Sequence, residues 1–359
     1  MRRLLPVIAA VTGLFASVAT AAADAPPSIV IDVNTGKVLE SNNSDALWHP
    51  ASLTKLMTAY VVFEALRDGD LKLTSPVKVS AHALAQAPAK MGYKVGTVIN
   101  VDNALKMMLV KSANDIAVAV AESVGGSEPK FVARMNATAQ RLGMVSTHYD
   151  DANGLPSDGQ LTTARDLAVL ARAIFTDFPE YVSYFGIPAI KAGKRVLRSE
   201  NDLLERYQGT IGMKTGFICA SGYNIVASAR RGNRTLIAIV LGAPSADSRG
   251  AAAAHLLDDG FATWLTQSKP DLASFETTPA VGPAADLHSV VCTKHDDPDV
   301  EGASDTVANA GLGPRFFLMD PVPVFTGHAD GYADASAPVA KTGKKTVAAD
   351  AVPLPHLRP

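Results

Sequence analysis

The sequence predicts an α/β chain of the α+β kind, an antiparallel sheet with flanking helices. Three observations predict it. Hairpin-like strand pairs stand at both ends of residues 25–267, stretches of helical periodicity lie between them, and a last helix closes the segment.

In order, Ile29 to Val33 and Lys37 to Glu40 flank Asn34-Thr35-Gly36, residues suited to a tight turn. After Ser52, the residues Leu53, Leu56, Met57, Tyr60, Val61 and Leu66 recur at helical spacing, which predicts a long amphipathic helix. A second helix is expected from about Asp102 to Val124, and a third from about Ser127 to Leu142 with Pro129 in its first turn. A fourth begins near Thr163, where Thr163-Ala164-Arg165-Asp166 resembles a capping box. Tyr223 to Ala229 and Thr235 to Leu241 flank Arg230 to Arg234 as a second hairpin, and Arg249 to Thr266 reads as the closing helix.

The two ends differ from this middle. Met1-Arg2-Arg3 is a short basic start, Leu4 to Val18 is mostly apolar, and Ala21-Ala22-Ala23 offers small residues for cleavage before Asp24. Residues 1–23 therefore read as a signal peptide, since the apolar run is shorter than the ~20 residues of a membrane span. The mature protein is expected outside the inner membrane, in the periplasm or cell envelope. Beyond residue 267 the pattern breaks down: 11 of the 22 prolines lie there. Residues 268–359 read as a largely irregular tail, patternless from Ala333 on, with Leu287 to Cys292 and Arg315 to Met319 as short apolar runs able to form strands or dock. Cys219 and Cys292 are the two cysteines; spacing does not decide whether they pair, and Cys219 reads most simply as a small buried residue. A formal net charge of -2 gives no electrostatic case for nucleic acid.

Three short motifs carry chemistry. Ser52-Leu53-Thr54-Lys55 opens the first long helix, so Ser52 and Lys55 share a face. Apolar neighbours desolvate Lys55 and favour its free amine, a base able to take the Ser52 proton. Ser75 and Ser127 begin the same Ser-x-x-Lys pattern, but neither opens a long apolar helix. Ser112-Ala113-Asn114 lies where helices pack: a serine there can relay a proton, and an asparagine amide can hold a substrate carbonyl. Its second copy, Ser199-Glu200-Asn201, falls in a charged loop. Lys214-Thr215-Gly216 precedes the second hairpin; Lys214 offers positive charge, Thr215 a hydroxyl, and Gly216 close approach for a substrate backbone. Lys341-Thr342-Gly343 leads into no strand. The eight histidines show no His-Glu-x-x-His spacing, so no metal is expected, nor any cofactor, and no Gly-x-Ser-x-Gly elbow is present.

With these motifs in this order, the chain resembles the low-molecular-mass serine penicillin-binding proteins, in particular the D-alanyl-D-alanine carboxypeptidases. His49 to Thr58, Ser112 to Asp115, Leu142-Gly143-Met144 with Thr147-His148, Asn153-Gly154-Leu155, Gly212 to Phe217 and Ser221 to Asn224 carry the resemblance, which runs from about Ile29 to Leu265. It implies a β-lactamase/transpeptidase-like domain, a sheet region and a helical subdomain meeting at the site. It implies Ser52 as nucleophile, Lys55 as base, Ser112 as proton shuttle, Asn114 and Lys214 as substrate-binding, and Thr215 and Arg249 near a terminal carboxylate. The backbone N–H groups of Ser52 and Phe217 would form the oxyanion hole. Peptidoglycan pentapeptide stems and β-lactam antibiotics are the implied partners. A D,D-endopeptidase or a penicillin-binding sensor without turnover shares the same residues. A class A β-lactamase is disfavoured, since Glu180, Glu200 and Glu205 lack Glu-x-x-x-Asn spacing. Pro353 to Pro359 cannot form the amphipathic terminal helix of many relatives, which leaves membrane attachment open.

Overall fold

The computed structural model describes residues 26–264, 268–292 and 312–327. The expectations for the leader, for Ala333 onward and for Lys341-Thr342-Gly343 lie outside them. In chain order the elements are β1 (Ser28–Asp32), β2 (Val38–Asn42), α1 (Thr54–Arg67), β3 (Pro76–Lys78), α2 (Ala81–Ala85), β4 (Val98–Asn100), α3 (Val101–Val110), α4 (Asn114–Gly125) and α5 (Glu128–Leu142). There follow α6 (Ala164–Asp177), β5 (Ala189–Ala192), β6 (Arg195–Arg198), α7 (Leu203–Arg206), β7 (Thr210–Ile218), β8 (Gly222–Arg231), β9 (Arg234–Ala243), α8 (Ala246–Ala262), α9 (His288–Val291) and β10 (Val322–Val324).

The main sheet has the order β2-β1-β9-β8-β7, antiparallel throughout. Both expected hairpins are present, and β1 pairs with β9, which joins the first hairpin to the last. Strand alternation sends side chains into two cores. Ile29, Ile31, Ile237 and Ile239 face the helical side, while Val30, Leu236, Ala238 and Val240 meet Ala253 and Leu257 of α8. Burial on both faces explains why these strands read as continuous apolar runs. Helices α1 to α6 pack on the first face around α1.

Four expectations need correction. Helix α1 is buried on nearly every side from Thr54 to Phe63, so it is a central helix rather than an amphipathic one. The single helix expected over residues 102–124 is two: α3 ends at Val110, α4 starts at Asn114, and Ser112 between them has φ +61. Apolar spacing runs through the break because both helices bury that face, so periodicity carries no sign of it. The closing helix starts earlier, at Ala246, because Ser245 and Ser248 cap each other's backbone N–H, and it ends at Ala262. Asp166 leaves the expected box half made: Thr163 accepts from the Asp166 N–H, but the Asp166 carboxylate turns to Ser146 N and Thr147 Oγ1.

The segments past residue 267 lie against the domain. Leu272 is buried, α9 takes the place of a strand over Leu287 to Cys292, and Cys292 is disulfide-bonded to Cys219. Cys219 is thus both buried and bonded. Arg315 to Met319 is irregular; Arg315 pairs with Asp202 and Glu205, and β10 joins β5 in parallel.

Candidate active site

A short 3-10 turn, Ala51–Leu53, leads into α1 and carries Ser52 at its centre. Ala51 before it has φ +49, a left-handed conformation that costs a non-glycine residue about 1–3 kcal/mol. Two glycines make room for this turn. A Cβ on Gly154, which has φ +91, would fall 1.9 Å from Ala51 O and 2.9 Å from Ser52 N. A Cβ on Gly216 would meet Ser52 N at 2.9 Å and Pro50 O at 3.0 Å. The Cβ side of Gly216 is therefore packed against the backbone of the Ser52 turn. Asn224 fixes the same segment, donating to His49 O at 3.0 Å and accepting from Gly242 N at 2.9 Å.

Lys55 is fully buried one turn along the helix. Its Nζ donates to Ser52 Oγ at 2.8 Å, Asn114 Oδ1 at 2.7 Å and Asn153 O at 2.5 Å. All three acceptors are uncharged. The Asn114 amide also donates to Ala87 O at 3.0 Å, so much of the side chain expected for substrate is engaged within the protein. Ser112 Oγ is buried with no hydrogen-bond partner among the described residues, and Ser112 lines the same cleft as Ser52. The left-handed backbone at Ser112 thus sets a donor and acceptor in the same cleft as Ser52.

The cleft is walled by Pro88, Ala89, Lys111, Ser112 and Asn114 on the helical side and by Phe217 and Ile218 of β7 on the other, with Gly154, Leu155 and Glu200 completing it. Lys214 and Thr215 on β7 are almost fully buried, and Lys214 Nζ donates to Thr215 O at 2.7 Å. Arg249 stands behind the wall. Its Nη2 donates to Glu200 O at 3.0 Å, and its guanidinium lies 5.7 Å from the Tyr223 ring, which in turn packs on Phe217 at 4.3 Å.

Sequence reasoning missed several parts of the site. Glu200, in the charged loop of the second Ser-x-Asn copy, lines the cleft with its carboxylate 3.9 Å from Lys111 Nζ. Asn153 contributes a carbonyl, which no side-chain motif can signal. Asp151 is likewise silent in sequence: its Oδ1 accepts from Asn153 N at 2.9 Å, Gly154 N at 2.7 Å and Gln160 Nε2 at 3.1 Å. Burial pushes its carboxyl pKa up, against those hydrogen bonds and the Lys55 charge, which pull it down.

The antiparallel sheet with its flanking helices is the fold of the penicillin-binding proteins and transpeptidases. Residues 15–245 match the D-alanyl-D-alanine carboxypeptidase family, and the chain belongs to that family. It is 38% identical over 263 residues to D-alanyl-D-alanine carboxypeptidase DacC of Escherichia coli K12, covering 71% of this chain and 66% of that one. The chain spans slightly less than two thirds of the length of such curated relatives. Penicillin binding protein 5 of Haemophilus influenzae superposes with a TM-score of 0.64 at 34% identity, over 67% of this chain and 71% of that one. Penicillin-Binding Protein D2 of Listeria monocytogenes, solved in an ampicillin-bound form, superposes with a TM-score of 0.58 at 33% identity, over 66% of this chain and 97% of that one.

Proposed function

We propose that the protein is a serine D-alanyl-D-alanine carboxypeptidase, removing the terminal D-alanine of peptidoglycan stem peptides through an acyl-enzyme on Ser52. The observation that carries this reading is the buried Lys55 Nζ at 2.8 Å from Ser52 Oγ. A neutral amine has two N–H bonds and one lone pair. Asn114 Oδ1 and Asn153 O each accept from Nζ, and the Ser52 Oγ contact is the one through which a neutral amine can take the serine proton.

Ser52 Oγ attacks the scissile carbonyl as its proton passes to Lys55. The oxyanion is met by the backbone N–H groups of Ser52, in the turn that leads into α1, and of Phe217 on β7. Ser112, with its hydroxyl unspent, gives its proton to the leaving amine as it takes the proton held by Lys55, and D-alanine departs, leaving Lys55 neutral again. Water then attacks the ester and Ser52 regains its proton. Asn114 and Lys214 hold the substrate, Thr215 serves its terminal carboxylate, and Arg249 adds positive field from behind Phe217. β-Lactams acylate the same serine, in keeping with the ampicillin-bound relative. Residues 1–23 act as a signal peptide, which places the mature protein in the periplasm or cell envelope.

The test is incubation with a diacyl-D-Ala-D-Ala peptide. Free D-alanine is the expected product. Cleavage of a cross-linked dimer without D-alanine release would make the protein an endopeptidase, and acylation without turnover would make it a sensor.

A further inference from the structure

We propose that Asp151 is a positioning residue for the serine–lysine pair, holding the turn that aims the Asn153 carbonyl at Lys55 and seats Gly154 against Ser52. The proposal rests on the reading of Ser52 and Lys55 given above.

One carboxylate oxygen gathers the N–H groups of two successive residues, Asn153 and Gly154, together with the Gln160 amide. That pinches residues 151–154 into a tight turn. The two residues so held are the two that touch the pair. The Asn153 carbonyl takes an N–H of Lys55 at 2.5 Å, and Gly154 leaves no room for a Cβ beside Ala51 O and Ser52 N. If the carbonyl swings away, Lys55 loses one of the contacts that hold its Nζ against Ser52 Oγ.

The turn is itself braced. Gln160 Oε1 accepts from the N–H groups of Asp150 and Asp151, Glu128 Oε1 from Ala152 N, and Thr58 of α1 donates to Ala152 O. Burial disfavours the charged carboxylate, as the upward push on its pKa records. A carboxylate kept at such a position fits a role in function better than one in stability alone.

The experiment is saturation kinetics of acylation by a fluorescent penicillin on the full-length protein, giving the acylation constant k2, the pre-acylation binding constant K and the labelled stoichiometry. The parent protein must first label on Ser52; absence of that label overturns the proposed function itself and leaves nothing for Asp151 to position. In Asp151→Ala, k2 is expected to fall about 10²-fold, the scale of an ångström-sized misplacement, with K within about threefold. Stoichiometry should stay near one label per chain. Asp151→Asn keeps an acceptor oxygen for the same two N–H groups and should recover k2 to within about tenfold of the parent. A purely structural role would lower the stoichiometry and leave k2 of the labelled fraction unchanged. That result, or an Asn variant no better than the Ala variant, overturns the proposal. If Asp151→Ala does not fold, Gln160→Ala, which loosens the same turn, should lower k2 about fivefold or more without changing K; parental k2 in that variant overturns it equally.

Discussion

At the residue scale, Ser52 stands apart from the two other serines that begin a Ser-x-x-Lys pattern because it alone has a lysine amine on its hydroxyl in a buried setting. Ser75 instead accepts from Lys72 N at the start of β3, and Ser127 occupies the N-cap position of α5. Ser52→Ala should therefore abolish labelling by a fluorescent penicillin, while Ser75→Ala and Ser127→Ala retain it. Lys55→Arg keeps the charge, but a guanidinium stays protonated and cannot accept the serine proton. Its acylation constant should drop by about 10²-fold or more, and a value within tenfold of the parent would show that Lys55 is not the base. Asp151 carries a second, thermodynamic prediction. Its folded carboxyl has a raised pKa, so ionisation disfavours the fold at neutral pH, and this cost disappears as pH falls through the folded pKa and both forms are protonated. Asp151→Asn should thus melt at or above the parent at pH 7, with the difference shrinking in acid. A gap that widens in acid would contradict the sign. The motif residues Ser52, Lys55, Ser112 and Asn114 were legible because side-chain chemistry leaves a pattern. Asn153 was not legible as a Lys55 partner because its part is played by a peptide carbonyl, which every residue has.

At the element scale, the site is a meeting of one 3-10 turn, one strand and one loop at backbone distance. Periodicity revealed the hairpins and helices because each strand and helix buries a regular face. It could not reveal the interruption between α3 and α4, where Ser112 adopts a left-handed backbone inside an unbroken apolar pattern. Nor could it show that Gly216 faces the Ser52 turn. Gly154→Ala tests this packing most severely. Its added methyl would collide with backbone, not with a flexible side chain, and φ +91 is unfavourable for alanine. The expected outcome is a loss of labelling beyond about 10²-fold, since the turn cannot yield without moving Ser52. Near-parental labelling with an unchanged melting temperature would mean that the turn and loop are not in fixed contact.

At the scale of the whole molecule, proline density marked residue 267 as a boundary, yet the chain continues to bind the domain beyond it. Leu272 enters the core, β10 extends the β5–β6 sheet, and Cys292 ties α9 to Cys219, two residues past Phe217. These attachments are short and separated, too brief for any periodic signal. A protein ending at residue 267 would lose all three, so it should melt well below the full chain and label poorly. Labelling at the parental rate would restore the boundary that composition suggested. Cys292→Ser alone opens a loop spanning 73 residues, which should cost about 2–4 kcal/mol and appear as a lower melting temperature under oxidising conditions. On the proposed reading, the assembly of sheet, helical side and C-terminal straps serves one event, the acylation of Ser52 with Lys55 as its base. Peptide mapping by mass spectrometry after brief exposure to penicillin tests that event most directly. A single penicilloyl adduct is expected, carried on Ser52 and absent from Lys55→Arg on the same time scale. An adduct on Ser112 or another residue, or none on the folded protein, would contradict it.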